Sequence, residues 1–162
     1  MFNERKQRKD VRLKDRDYAG RGVYFVTICS FERLELFGSV HDGIVCESAV
    51  GAIVSQQWLG ISESFSTVDL DLHIIMPNHI HGIIVLQPSD EVQITLGNII
   101  RQFKAKSTTA VRRFLSDPEV RLWQRNYYEH VVRSTDDLDR MRVYIKGNPS
   151  NWQTDEYLPR RS

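Results

Sequence analysis

Two histidines one residue apart, His79 and His81 in the stretch MPNHIHGIIVL (residues 76–86), are the side chains of this sequence best suited to metal chemistry. On a β-strand successive side chains alternate, so both imidazoles point to one face and Ile80 to the other. The core is expected on the Ile80 side, which leaves the histidine face open. Two nitrogens make a two-pronged ligand set, and a divalent ion held there needs at least one more donor from elsewhere in the chain. Tyr144 and Asn148, in VYIKGNP, offer one. Four residues apart on a helix, they lie about 40° apart around its axis and face the same way. An amide oxygen could then complete a metal site with a phenol beside it. Imidazole ligands alone point to Zn or Mn, whereas an amide oxygen with phosphate and water suits Mg or Mn. The plainer alternatives are a hydrogen-bonded histidine pair and a core tyrosine with a wet hydroxyl.

The elements that must position these residues follow from periodicity and punctuation. GVYFVTICSF (residues 22–31) is rich in β-branched and aromatic residues and reads as a first strand. Ser48 caps a helix with Val50, Ile53, Val54 and Trp58 at helical spacing and an end in the 60s. VDLDLHIIM (68–76) is a strand, Pro77 and Asn78 make a turn, and HIHGIIVL returns as a second strand. Thr95 caps a second helix with Leu96, Ile99, Ile100 and Phe103 on one stripe and Arg101, Lys104 and Lys106 on the remainder. NYYEHVVR (126–133) reads as a further strand. Ser134 and Asp137 approximate a capping box for a third helix, whose buried stripe is Leu138, Met141 and Ile145 and whose end lies near Gly147 and Pro149. The order β, α, β, β, α, β, α predicts a ferredoxin-like (RRM-like) α+β sandwich, an antiparallel sheet covered by helices on one face.

A chain of 162 residues suits one domain with a sizeable core, here residues 1–162 with 1–20 as a basic arm. No apolar run reaches the length of a membrane span, and the charged start MFNERKQRKD lacks the apolar core of a secretory signal. Cys29 and Cys46 stand singly, which suits a reducing cytoplasm and predicts no disulfide. The net charge of +1 hides a segregation. Residues 1–22 hold eight Lys/Arg against four Asp/Glu, residues 101–113 hold five basic and no acidic residues, and residues 31–100 hold nine acids against one base, Arg33. One basic surface is therefore available to a polyanion, although a basic arm plus a solvated helix face explains the same counts.

Several of these stretches occur together, in order, in one family. YFVTICSFER, MPNHIHGIIVL, LGNIIRQFKAKST, WQRNYYEHVVR and YIKGNP span about three quarters of the chain, which is far more specific than an isolated His-x-His. Through them the sequence resembles the HUH single-tyrosine transposases, especially their REP-associated branch. The resemblance implies that His79 and His81 are metal ligands, Tyr144 the nucleophile, Asn148 the third ligand and Mg or Mn the metal. The insertion-sequence branch commonly has glutamine where this chain has Asn148, and asparagine followed by proline is similar to the REP-associated branch. Attack of a tyrosyl oxygen on phosphorus would keep the bond's energy in a 5′-phosphotyrosine, so a free 3′-hydroxyl could reverse the step without ATP. The phenol must lose its proton as it attacks, and the sequence identifies no general base.

The implied partner is single-stranded or hairpin DNA. Trp123, Tyr127 and Tyr128 could stack unpaired bases, with Arg125 and Arg133 gripping phosphates. Tyr127 and Tyr128 point to opposite faces, so one of them must be mostly structural. Arg101, Lys104 and Lys106 would contribute a basic helix face, and Arg12 lies in an arm, RKQRKDVRLK, that reads equally as a DNA contact or as a solvated tail. His73 and His130 are assigned to packing or to hydrogen bonds behind the site, and His41 to the surface. Two rival readings remain: a ferredoxin-like single-strand-binding module that cuts nothing, and a metal phosphodiesterase that uses water. Monomer and homodimer stay open.

Overall fold

The computed structural model describes residues 22–91 and 93–155. Arg12 and the rest of the basic arm lie outside the described residues. In chain order the elements are β1 (Gly22–Cys29), β2 (Gly38–His41), β3 (Ile44–Glu47), α1 (Ala49–Leu59), α2 (Ile61–Ser64), β4 (Val68–Met76), β5 (His79–Leu86), α3 (Leu96–Leu115), β6 (Tyr128–Val131) and α4 (Thr135–Gly147). Short 3-10 turns occupy Phe31–Arg33 and Pro149–Thr154. Caps fix the helix starts: the side chains of Ser48, Thr95 and Ser134 accept from the backbone N–H of Gly51, Asn98 and Asp137. Among the described residues no helix is long and apolar enough to cross a membrane.

Four strands form one antiparallel sheet in the order β4-β5-β1-β6. With β2 and β3 set aside, that is the ferredoxin-like arrangement of an α+β sandwich, as expected. β2 and β3 pair as a separate hairpin, closed by Asp42 and Gly43 with φ of 50° and 73°. Two consecutive residues at positive φ are what a two-residue hairpin turn requires.

The layering differs from the expectation of helices on one face. One face of the sheet, through Val26, Ile28, Ile80 and Ile84, packs on α1 and α3 with Val54, Trp58, Ile99, Ile100 and Phe103. The other face, through Val23, Phe25, Ile83 and Val85, packs on Leu138 and Ile145 of α4. Both faces are therefore buried, and β1 and β5 read as nearly continuous apolar runs for that reason. Gly82 on β5 lets Trp58 lie directly on the sheet, since a Cβ at that position would overlap its ring.

Candidate metal and tyrosine site

His79 and His81 begin β5, and the register with β1 sets them opposite Cys29 and Thr27. Their face is the one that α4 covers. The histidines are consequently not open to solvent, as the strand pattern predicts, but 0% and 1% exposed. α4 closes this face because Leu138 and Ile145 are buried against it, each worth about 1.5–3 kcal/mol. Two polar ties fix its angle. Arg142 Nη2 donates to Asp71 Oδ2 at 2.6 Å and its Nε to Asp71 Oδ1 at 3.2 Å, and His130 Nε2 lies 2.8 Å from Asp137 Oδ2. Asp71 can reach α4 because the β4–β5 register shifts between Leu70 and His73.

Docked in this way, α4 sets the Tyr144 ring edge-on to His81 with centroids 5.1 Å apart, and against Phe25 at 5.8 Å. Tyr144 remains 42% exposed beside a buried imidazole pair. Asn148, one helical turn further on, is buried to 4% exposure, and its Oδ1 has no hydrogen-bond partner of good geometry among the described residues. The sequence-derived quartet His79, His81, Tyr144 and Asn148 is brought together.

The imidazoles are neutral and their tautomers are constrained. Burial pushes the His79 pKa down to about 3, the nearby Asn148 amide opposing this and the Arg33 charge adding to it. Burial also holds His81 well below the usual histidine value, with His79 contributing. Asn78 Oδ1 lies 2.7 Å from His79 Nδ1, and an amide oxygen can only accept, so the proton of His79 is on Nδ1 and its Nε2 carries a lone pair. Asn78 is held in turn by donation from its Nδ2 to Arg33 O at 3.2 Å, within a turn where Glu32 and Arg33 both have positive φ. Thr27 Oγ1 lies 2.8 Å from His81 Nδ1 and can either donate or accept.

These residues fit a divalent ion. His79 Nε2 and His81 Nε2 are 3.0 Å apart. Adjacent ligands of one octahedral ion at about 2.1 Å stand roughly 3.0 Å apart, whereas tetrahedral ligands stand about 3.4 Å apart. The orphaned Oδ1 of Asn148 is a buried acceptor in need of a cation or a donor. Among the described residues no three His, Cys, Asp or Glu side chains form a ready ligand cluster.

The residues expected on DNA are more dispersed. Lys104 is turned inward, its Nζ donating to the carbonyls of Gln124 and Asn126 at 2.8 and 3.1 Å, and burial lowers its pKa. Lys106 points elsewhere, to Ser64 Oγ at 2.9 Å, and Arg101 Nη2 to Asn98 Oδ1 at 2.9 Å. The three do not form one face. Trp123 is partly buried: its ring packs on Phe37 and Phe103, its Nε1 donates to Ser107 Oγ at 2.9 Å, and it lines the groove that also holds Arg125. Arg125 and Arg133 are exposed. Arg125 lines a groove of about 630 Å³ together with Phe31, Arg112 and Arg121, a basic and aromatic surface that periodicity along the sequence does not show. Tyr127 packs against the α3 side of the core, whereas Tyr128 is 56% exposed. His73 packs near Trp58, His130 ties to Asp137, and His41 is on the surface, as expected. Thr27 and Asn78 were not legible as supports, because only the register and the turn bring them to the imidazoles.

No protein-family model matches the chain. A REP-associated tyrosine transposase, solved bound to a REP hairpin, superposes with a TM-score of 0.62 at 20% identity over 81% of this chain and 68% of that one. A candidate transposase from Deinococcus radiodurans R1 gives a TM-score of 0.54 at 16% identity over 78% of this chain and 90% of its own. At these identities the likeness is one of fold, which is transposase-like. In sequence, a Haemophilus influenzae protein described as uncharacterized is 34% identical over 167 residues, covering 92% of either chain. An identity of that size over almost the whole of both chains means that this protein belongs to the same family as the Haemophilus influenzae protein.

Proposed function

We propose that this protein is a metal-dependent single-stranded DNA transposase or endonuclease that recognises hairpin DNA, and nicks and rejoins strands through Tyr144. The observation that carries the reading is the packing of a half-exposed tyrosine edge-on to one of two buried, neutral histidines whose Nε2 atoms are 3.0 Å apart. His79, His81 and Asn148 would hold Mg or Mn. The ion would supply positive charge beside the oxygens of the phosphate being cut.

The chain's own groups carry the remainder. The Tyr144 oxygen attacks phosphorus and gives up its proton to solvent, the 3′ oxygen of the upstream strand leaves and takes up a proton as a 3′-hydroxyl, and a 5′-phosphotyrosine is formed. A 3′-hydroxyl of another strand attacks that linkage and regenerates the phenol. Asn78 keeps the His79 proton on Nδ1, so that Nε2 presents a lone pair to an ion. Hairpin DNA as partner rests on the motif resemblance and on the similarly folded transposase solved with a REP hairpin. Exposed Arg121 and Arg125 offer phosphate contacts near the end of β1.

The test is incubation of the full chain with a labelled, hairpin-bearing single strand in Mg or Mn, followed by denaturing electrophoresis. A covalent adduct is expected, absent with chelator and absent in Tyr144→Phe. Strand cutting without an adduct, undiminished in Tyr144→Phe, would make water the nucleophile. Hairpin binding without any cutting would make the chain a binding module.

A further inference from the structure

We propose that Asp155 is an additional metal ligand, a carboxylate that closes on the ion held by His79, His81 and Asn148. The proposal rests on the metal reading of that site and adds to it a residue from outside the histidine hairpin and the tyrosine helix. Asp155 follows the 3-10 turn Pro149–Thr154, which begins directly after Asn148. Trp152 of that turn is buried, its ring centroid 6.2 Å from that of His79, and so folds the chain back over the histidines. The Asp155 side chain is 4% exposed, and its Oδ2 lies 3.9 Å from His79 Nε2.

Charge gives the physical reason. Two imidazoles and an amide bring no negative charge to a buried site. A divalent cation entering such surroundings meets a desolvation cost, which a nearby carboxylate offsets. Asp155 supplies that charge. Ligand atoms about 2.1 Å from one octahedral ion stand roughly 3.0 Å apart when adjacent and about 4.2 Å apart when opposite. The observed 3.0 Å between the imidazoles matches adjacent positions, whereas the carboxylate, at 3.9 Å, matches neither spacing as it stands. The described histidines and carboxylates do not yet form a closed cluster, so Asp155 has to move onto the ion as it binds. Its position in extended backbone at the end of the turn, with φ −65° and ψ 134°, allows a small movement without unwinding a helix.

The experiment is titration calorimetry of the full chain with Mn alone, without DNA, paired with thermal melts in chelator. Asp155→Asn, which keeps the shape and removes the charge, is expected to weaken Mn binding by about tenfold or more while melting like the unmodified protein in chelator. Asp155→Glu should bind more tightly than Asp155→Asn, because the charge is restored on a longer stem. Unchanged Mn affinity in Asp155→Asn, with binding lost in His81→Ala, overturns the ligand role of Asp155 and leaves the histidine site standing. Mn affinity unaffected in His81→Ala overturns both. A melting temperature lowered in Asp155→Asn with Mn affinity retained makes Asp155 a structural partner of His79 and overturns the proposal.

Discussion

His79 Nε2 lies 3.0 Å from His81 Nε2 in surroundings that leave neither ring more than 1% exposed. That burial makes folding dependent on pH. In the unfolded chain each histidine titrates near 6.5, whereas in the fold His79 does so at about 3 and His81 well below the usual value. Between those limits the unfolded state binds protons that the native state refuses. Their contribution is fully present above about pH 6.5 and is lost on acidification, at up to about 1.4 kcal/mol per pH unit for each histidine. The urea midpoint in chelator is expected to fall steeply from pH 7 to pH 5, and less steeply in the double variant His79→Gln, His81→Gln. A flat profile for the unmodified protein would show that the pair ionises freely in the folded state.

Arg142 and Asp71 make a second dependence measurable. Their paired hydrogen bonds tie α4 to the shifted stretch of β4, two residues before Tyr144. Asp71 is 8% exposed and Arg142 25%, so losing one partner leaves a largely buried charge and should cost about 1–3 kcal/mol. Arg142→Ala and Asp71→Asn should each lower stability, and the double variant should cost less than their sum. On the transposase reading, Arg142→Ala should also slow strand cutting by about 10²-fold while hairpin binding persists, since a nucleophile displaced by about 1 Å loses rate on that scale. Additive stability losses would remove the pairing as the cause.

How much of this was legible depended on whether the signal was local. Ser48, Thr95 and Ser134 named their helices because a cap acts within three residues. The ferredoxin-like class followed from element order, because short connections leave few topologies. The burial of the histidines was not legible: strand alternation assigns a face, but whether α4 covers that face is decided by Leu138, Ile145 and the Arg142–Asp71 pair, all distant in sequence. The inward contacts of Lys104 were not legible for a related reason, since helical periodicity cannot show that the carbonyls of residues 124–126 wait for its ammonium. The β2–β3 hairpin did leave a local sign, Asp42-Gly43, but its flanking strands have only four residues each, too few for alternation to stand out. Asp155 gave none.

The basic groove offers a test of where phosphate is held. Arg112, Arg121 and Arg125 line it together with Lys104, whose Nζ is committed to backbone carbonyls. Replacing the three arginines by glutamine should weaken single-strand binding and flatten the slope of log K against log salt by about 2, near 0.7 for each phosphate no longer neutralised. Lys104→Gln should instead lower the melting temperature with little change in slope. The opposite pairing of results would make Lys104, rather than the three arginines, the phosphate contact.

Tyr128 is the aromatic residue best placed to hold a base beside the site. It pairs directly with Thr27 in the β1–β6 register, so both side chains project from the same sheet face, and Thr27 in turn contacts His81. One row across the sheet thus runs from an exposed phenol ring through a buried hydroxyl to a candidate metal ligand. Tyr127 points to the opposite face, packs on the core and lies 5.9 Å from Lys104 Nζ. The two neighbours therefore have separable effects. Tyr128→Ala is expected to reduce affinity for an unpaired strand by about 1–3 kcal/mol, the usual worth of one stacked base, without changing the melting temperature. Tyr128→Phe should bind like the unmodified protein, because stacking needs the ring and not the hydroxyl. Tyr127→Ala should lower the melting temperature by removing a ring packed on the core, a loss of about 3 kcal/mol at most for a partly exposed side chain. Fluorescence anisotropy with a labelled single strand, run beside thermal melts of the three variants, makes the comparison. Equal affinity in Tyr128→Ala and the unmodified protein would remove Tyr128 from the path of the strand.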